Sequence, residues 1–243
     1  MNRSRASAPA RQRGAALLLL LMVLGLGAAS VMINIFAKPS SVLRQQDRTA
    51  RALAEAREAL LGYAILHRRL PRPAVSTVDG SESQQPCTSE ESCTGLLPWI
   101  TLGLTPGDGW NKLLRYSVTP AYANGTLDNP AEATKTVLDR GNDGTLLFRA
   151  GSANCFVDDR CPPAVIYSSG KHLGISVDGL PQTSAVTDNT DEQANEEAVK
   201  DFMGRAATDD IASIGGSFSA ATAWVPLAML RTRIRSSAPT AKR

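Results

Sequence analysis

The chain has little of what most catalytic sites are built from. It holds two histidines, His67 and His172, in 243 residues. No HExxH, P-loop or GxSxG segment occurs, so the common signatures of zinc proteases, nucleotide enzymes and serine hydrolases are missing. Aromatic residues are 5% of the composition, so each one counts as a potential core anchor. A basic surface within the fold is also missing. Residues 1–14 carry Arg3, Arg5, Arg11 and Arg13 with no acid, more than the whole net charge of +3. Basic residues gather again only at Arg231, Arg233, Arg235, Lys242 and Arg243, read as a solvated end, while the stretch between Asp178 and Asp210 is acidic. Nothing here predicts nucleic-acid binding. No internal repeat is visible. The length allows one or two domains, and 43% hydrophobic residues suffice for one core.

Two short matches to chemical motifs dissolve on inspection. Ser168-Ser169-Gly170-Lys171 reads S-x-x-K, but the Ser-Asp-Asn and Lys-Thr-Gly partners of that chemistry do not occur. Asp139–Gly144 (DRGNDG) begins like a calcium loop, yet Gly141 fills a ligand position and Ala150 stands where the closing Glu belongs. It reads as an Asn/Asp/Gly turn. The expectation is a protein that is not an enzyme, with no metal and no cofactor in its sites.

What the chain does have is one long apolar run. Ala15–Ala37 is 23 residues without a charge, about 34 Å as a helix, enough for a bilayer core of about 30 Å. Three readings fit it. A secretory signal peptide would end at Gly27-Ala28-Ala29, but the run continues through Val31, Met32, Ile33, Ile35 and Phe36, which an exported protein does not need. A plain anchor would leave it whole, with the four arginines on the cytoplasmic side. The third reading cuts it at its front edge.

That third reading rests on Arg13-Gly14 followed by Ala15-Ala16 and a leucine run, which resembles the leader boundary of type IV prepilins and type II secretion pseudopilins. The resemblance implies cleavage between Gly14 and Ala15 by a prepilin peptidase, and N-methylation of Ala15. The fifth mature residue of that family is usually Glu, which meets the free amine of a neighbouring subunit; here it is Leu19. A carboxylate at that depth is costly without its partner, and its loss points to a minor or tip-type subunit rather than the main fibre former. Asp108-Gly109-Trp110-Asn111…Tyr116 resembles the family's Asp-x-Trp-Gly turn leading into a strand that ends in Tyr. Asn111 replaces Gly and is the substitute best able to take a positive φ. Leu97-Pro98-Trp99 and Leu102-Gly103-Leu104 before it, and Ala164–Gly174 after it, resemble family segments too. Asp108, Trp110 and Tyr116 are thus structural-motif residues. Some pseudopilins bind calcium through a loop, so calcium is the one ion the resemblance admits.

Pro39 predicts a kink or a restart of the helix. From Ser40 to Leu66, Leu53, Ala56, Leu60, Tyr63 and Ala64 recur at helical spacing, and Leu70-Pro71-Arg72-Pro73 closes the helix. Strands are predicted at Leu113–Val118, Thr145–Arg149, Ala164–Ser168 and Leu173–Val177. Thr190-Asp191-Glu192-Gln193 reads as a capping box opening a helix through Met203. Trp224–Ile234 reads as a last helix with Pro226 in its first turn and a stripe of Leu227, Leu230 and Ile234. Trp99 and Trp110 are both expected in the core.

The four cysteines form two equally spaced pairs in polar loops, Cys87/Cys93 and Cys155/Cys161. They predict two local disulfides in an oxidising compartment, with cross-pairing left open. The five-residue gap suits a four-Cys zinc site poorly.

The expected architecture is α+β and pilin-like: leader 1–14, a transmembrane and amphipathic helix over 15–66, and a periplasmic or extracellular head over 67–243. The head would be a small antiparallel sheet against the helix, with added loops and C-terminal helices. The expected function is a minor pilin or pseudopilin of a type II secretion or type IV pilus system. Its partners would be the prepilin peptidase, other pilins or pseudopilins and an inner-membrane assembly platform. The contrasting expectation is a membrane-anchored or signal-peptide-exported periplasmic binding protein.

Overall fold

The computed structural model describes residues 13–127, 132–155, 160–183 and 188–236, apart from the side chains of 13–18 and 28–40. The chain divides into two compact units, Met1–Arg44 and Gln45–Arg243. Helix α1 is Arg13–His67. It passes through Pro39, so of the two outcomes expected there the restart does not occur. Loss of one amide donor interrupts one rung of the ladder, and the helical bonds on either side persist.

The first unit contributes an apolar surface. Leu19, Leu20, Leu21, Met22, Val23, Leu24 and Leu26 are all exposed. Among the described residues no helix is long and apolar enough to cross a membrane. Most of the predicted span Ala15–Ala37 has side chains outside the description, as do the whole residues 1–12 of the expected leader and Lys242 and Arg243 of the basic end.

The second unit is α+β. Its main sheet has the order β1 (Thr94–Leu96), β2 (Arg115–Val118), β5 (Ala164–Ser168), β9 (Ala221–Val225), antiparallel throughout. β5 is wholly buried, as a β-branched and aromatic run between two neighbours should be. The predicted stripe of α1 lies in the same core as this sheet: Leu53, Ala56, Leu60 and Ala64 cluster with Tyr116, Val118 and Ile166. Leu227, Leu230 and Ile234 of α5 (Leu227–Ser236) complete it. A second sheet has the order β4 (Leu146–Ala150), β3 (Thr136–Arg140), β8 (Asp201–Met203). Its β3–β8 pair is parallel, whereas the four-stranded sheet is the small antiparallel sheet that was expected. β6 (Gly174–Ile175) and β7 (Pro181–Gln182) form a short hairpin. Two brief helices, α2 (Trp99–Leu102) and α3 (Pro120–Asn124), sit in the loops around β2.

Two predicted helices are corrected. α4 is Thr190–Glu197, not a helix through Met203. Asn189, not Thr190, is its N-cap; Gln193 donates to Asn189 Oδ1 at 3.0 Å, and Asn189 donates to Glu192 Oε2 at 2.7 Å. The chain then doubles back, and Asn195 clamps it: Nδ2 donates to the Met203 carbonyl at 2.9 Å while Met203 N donates to Oδ1 at 2.6 Å. Phe202 is thereby fully buried against Val137 and Tyr167. At the other end, Trp224 belongs to β9, not to the last helix, because 221–225 pairs with the whole of β5. Pro226 lies just before α5, where its carbonyl accepts from Leu230 N at 3.0 Å.

The end of α1 is fixed by one carboxylate. Arg68 turns the chain at φ 57°, and Glu82 holds the segment beyond that turn against the helix. It accepts from the Tyr63 hydroxyl at 2.6 Å, from Arg72 N at 2.8 Å and from the Arg69 guanidinium. Burial pushes the Glu82 carboxyl up, but those hydrogen bonds and the Arg69 charge outweigh it and hold the group below its ordinary range. A carboxyl lowered on folding stabilises the fold above its unfolded pKa of about 4.3 and loses that contribution as pH falls through the lower folded value. Glu82→Gln is therefore expected to cost about 1–3 kcal/mol at neutral pH and to flatten the loss of stability below about pH 4.3. Urea unfolding at several pH values checks both; an acid limb as steep as in the parent chain contradicts the assignment.

Candidate functional site: the Asp108 turn and its cavity

The Asp108 turn is built as a local knot. Asp108 Oδ1 accepts from Trp110 N at 2.8 Å and from Lys112 N at 3.0 Å. Asp108 N donates to the Lys112 carbonyl at 2.9 Å. Asn111 takes φ 61°, the left-handed conformation anticipated for it. The second carboxylate oxygen accepts from the Ser168 hydroxyl at the end of β5. Gly109 meets α1: its N–H donates to Thr49 Oγ1 at 3.1 Å, and a Cβ there would lie 1.9 Å from the Gln45 carbonyl oxygen. The turn thus joins α1 and β5, and only glycine fits at its point of contact with the helix.

Tyr116 leaves this turn into β2, fully buried, with its hydroxyl on the Pro71 carbonyl at 3.0 Å. Burial pushes its phenol well up. Trp99 is the core anchor expected of it, lying so close to Gly80 that a Cβ there would sit 2.1 Å from the ring. Trp110 is not. It is half-buried and lines a cavity of about 230 Å³ with Thr49 of α1, Arg149 of β4, Gly204 and Arg205 after β8, and Thr222 of β9. Trp110 Nε1 is buried and has no hydrogen-bond partner among the described residues.

The cysteines pair locally, Cys87 with Cys93 and Cys155 with Cys161, which resolves the connectivity left open by spacing. Gly14 and Ala15 fall in α1, with side chains outside the description. Ser168 is committed to Asp108, and Lys171 pairs with Asp209, so the S-x-x-K residues serve different partners. In the Asp139–Gly144 segment Asp143 caps the β3–β4 turn through Thr145 N at 3.0 Å and Thr145 Oγ1 at 2.7 Å. Among the described residues no group of three or more His, Cys, Asp or Glu is placed to hold a metal.

Several buried ionisable groups carried no signal in the sequence. Asp191 is shared by Arg140 Nη2 at 2.7 Å and Arg205 Nε at 2.8 Å. Glu192 accepts from Ser219 Oγ at 2.7 Å and lies 3.1 Å from His172 Nδ1. Lys135 is fully buried between Glu90 and the Val199 carbonyl, and burial pushes its ammonium pKa down. Lys112 is buried over the Leu173 carbonyl, lowered for the same reason. Each pairs residues far apart in the chain, as Lys135 with Glu90, Lys112 with Leu173 and Arg140 with Asp191, distances at which no motif operates. These groups are hydrogen-bonded, as buried charges must be.

Neither a known protein family, nor a curated protein, nor a solved structure matches the chain. The site has to be read from its own chemistry. Asp108→Ala is expected to cost about 2–4 kcal/mol, because it strands two backbone donors and the Ser168 hydroxyl. Asp108→Asn keeps an acceptor for the two amides and should cost clearly less. Urea denaturation of both variants measures the difference, and equal losses would contradict this account of the turn.

Proposed function

We propose that the chain is a pilin-like assembly subunit, a minor or tip-type member of a type II secretion or type IV pilus system. It would be processed between Gly14 and Ala15 by a prepilin peptidase, methylated at Ala15, and held in the inner membrane with its head in the periplasm. It would then be packed with other pilins or pseudopilins by an assembly platform. The observation that carries this reading is the combination in one helix. Arg13-Gly14-Ala15-Ala16 opens it, an exposed apolar stretch from Leu19 follows, and its last third packs with a four-stranded antiparallel sheet. Such a helix has two uses. Its apolar part can exchange lipid for the same parts of neighbouring subunits, a transfer driven by packing because lipid is as apolar as leucine. Its amphipathic part fixes a head on the outside of the bundle. Leu19, in place of the family's usual Glu, keeps the proposal to a low-copy position.

The Asp108–Tyr116 segment supports the same reading, since it forms a turn with a left-handed residue at Asn111 and a buried tyrosine at the strand. The two disulfides suit a head in an oxidising compartment. The competing reading, an anchored or exported binding protein, draws on the cavity beside Trp110.

A photo-cross-linking side chain placed at Leu20 or Leu24 of the full chain in its host tests the proposal. Adducts to other pilin-like subunits are expected. Gly14→Val should leave the chain in the membrane, unprocessed and without those adducts. No subunit adducts, or adducts unchanged by Gly14→Val, would overturn it.

A further inference from the structure

The β3–β4 hairpin leaves one edge of its sheet uncovered. β4 stands at the end of the order β4-β3-β8 and pairs with β3 alone. The neighbouring bonds show which backbone groups face outward. Gly141 N donates to the Thr145 carbonyl at 2.8 Å, and the Leu138 carbonyl is turned to β8, where it accepts from Gly204 N at 2.7 Å. Bonded and non-bonded pairs alternate along an antiparallel ladder. Asp139 and Leu147 are therefore a bonded pair, and the N–H and C=O of Leu146 and Phe148 point away from β3. Those outward groups have no protein partner among the described residues. The free edge is short and bounded at both ends. The turn closes one end, and at the other Gly151 N donates to the Arg160 carbonyl at 3.1 Å. Between them Leu146, Leu147 and Phe148 are 45%, 58% and 47% exposed. Natural sheets guard such an edge with lysine, proline or a covering loop. Here the free edge Thr145–Arg149 holds no lysine and no proline, only three large apolar side chains in a row and one charge, Arg149.

We propose that this edge is an interface between two copies of the chain, joined β4 to β4 in antiparallel fashion about a two-fold axis at Leu147. The free edge Thr145–Arg149 is centred on that residue, so a second copy matches it along its whole length. Leu146 and the second copy's Phe148 exchange N–H···O bonds, and Phe148 does the same with the second copy's Leu146, which satisfies every outward group. The side chains agree with that register. Phe148 lies beside the second copy's Leu146 on one face of the joined sheet. The two Leu147 side chains meet on the other, at a non-bonded pair whose Cα atoms approach to about 4.5 Å. Arg149 comes opposite the second copy's Thr145, whose hydroxyl donates to Asp143 at 2.7 Å, so the charges brought near one another are of opposite sign. A two-fold contact of this kind closes on itself and makes a dimer, not a fibre. It stands on the geometry of the edge and is independent of how the N-terminus is processed.

The test uses the full chain, purified in detergent with its two native disulfides intact. Leu146→Cys, Leu147→Cys and Phe148→Cys are made one at a time, oxidised gently with copper phenanthroline and followed on non-reducing gels. Leu147→Cys is expected to form a covalent dimer about tenfold faster than either of the others alone, because only a residue on the two-fold axis faces its own copy at disulfide distance. A mixture of Leu146→Cys and Phe148→Cys chains should cross-link faster than either of them by itself. Phe148→Lys, added to Leu147→Cys, places a charge on the edge and should slow the cross-link about tenfold. Phe148 is exposed, so that chain should fold. No covalent dimer would overturn the proposal. So would equal rates at the three positions, or a rate indifferent to Phe148→Lys. Oxidation of Leu147→Cys in host membranes is the second arm: a bond to another copy supports the pair, and a bond to a different polypeptide overturns it.

Discussion

The contact between the Asp108 turn and helix α1 is the constraint on which the rest of the head depends. Gly109 lies against the Gln45 carbonyl with no room for a side chain, and its N–H rests on Thr49. The same turn reaches β5 through Ser168 and feeds β2 through Tyr116. Helix and sheet are thus registered to each other by one carboxylate and one glycine, and not by the shape of the apolar core alone. Registration has a consequence for chemistry. With the backbone of 108–112 tied down, the Trp110 side chain is fixed over a cavity whose other walls come from β4, β9 and the segment after β8. The turn thus supports the fold and also shapes the candidate binding site.

The disulfides act on a smaller scale. Each joins cysteines six positions apart, so each staples its own loop and links no two elements of the sheet. Beside the shared apolar core, long-range links are made by buried ionic groups. Glu82 holds the end of α1, Lys135 ties the Cys87–Cys93 loop to the start of β3, and Asp191 and Glu192 tie α4 to Arg140 at the end of β3 and to Ser219 ahead of β9. Such groups are costly to bury and costly to break, which favours one arrangement over its near alternatives.

Much of this was legible in the sequence where local chemistry decides. The stripe Leu53-Ala56-Leu60-Ala64 and the strand Ala164–Ser168 follow from periodicity and β-branching, and the positive φ of Asn111 was expected from the resemblance that sets Asn in the place of a turn Gly. The errors lie where tertiary pairing overrides local pattern. Trp224 and Val225 read as the start of the last helix, yet they belong to the strand 221–225 that pairs with β5. Asp201–Met203 reads as the tail of a helix until Asn195 and β3 claim it. β3 itself is masked by Asp139 and Arg140, and Arg140 is accommodated there by its ion pair with Asp191. The half-buried state of Trp110 could not be read at all, since it depends on where β4 and β9 end up. The buried ion pairs join residues far apart in the chain and leave no spacing to detect.

The central claim is that the apolar run is cut at its front edge and then used for assembly. The most direct measurement is the intact mass and N-terminal sequence of the protein taken from its native membranes. A chain that starts at Ala15 and carries one added methyl group is the predicted result. A start near Ser30 would make it an exported soluble protein, and an uncut chain would make it a plain membrane anchor; either would contradict the account.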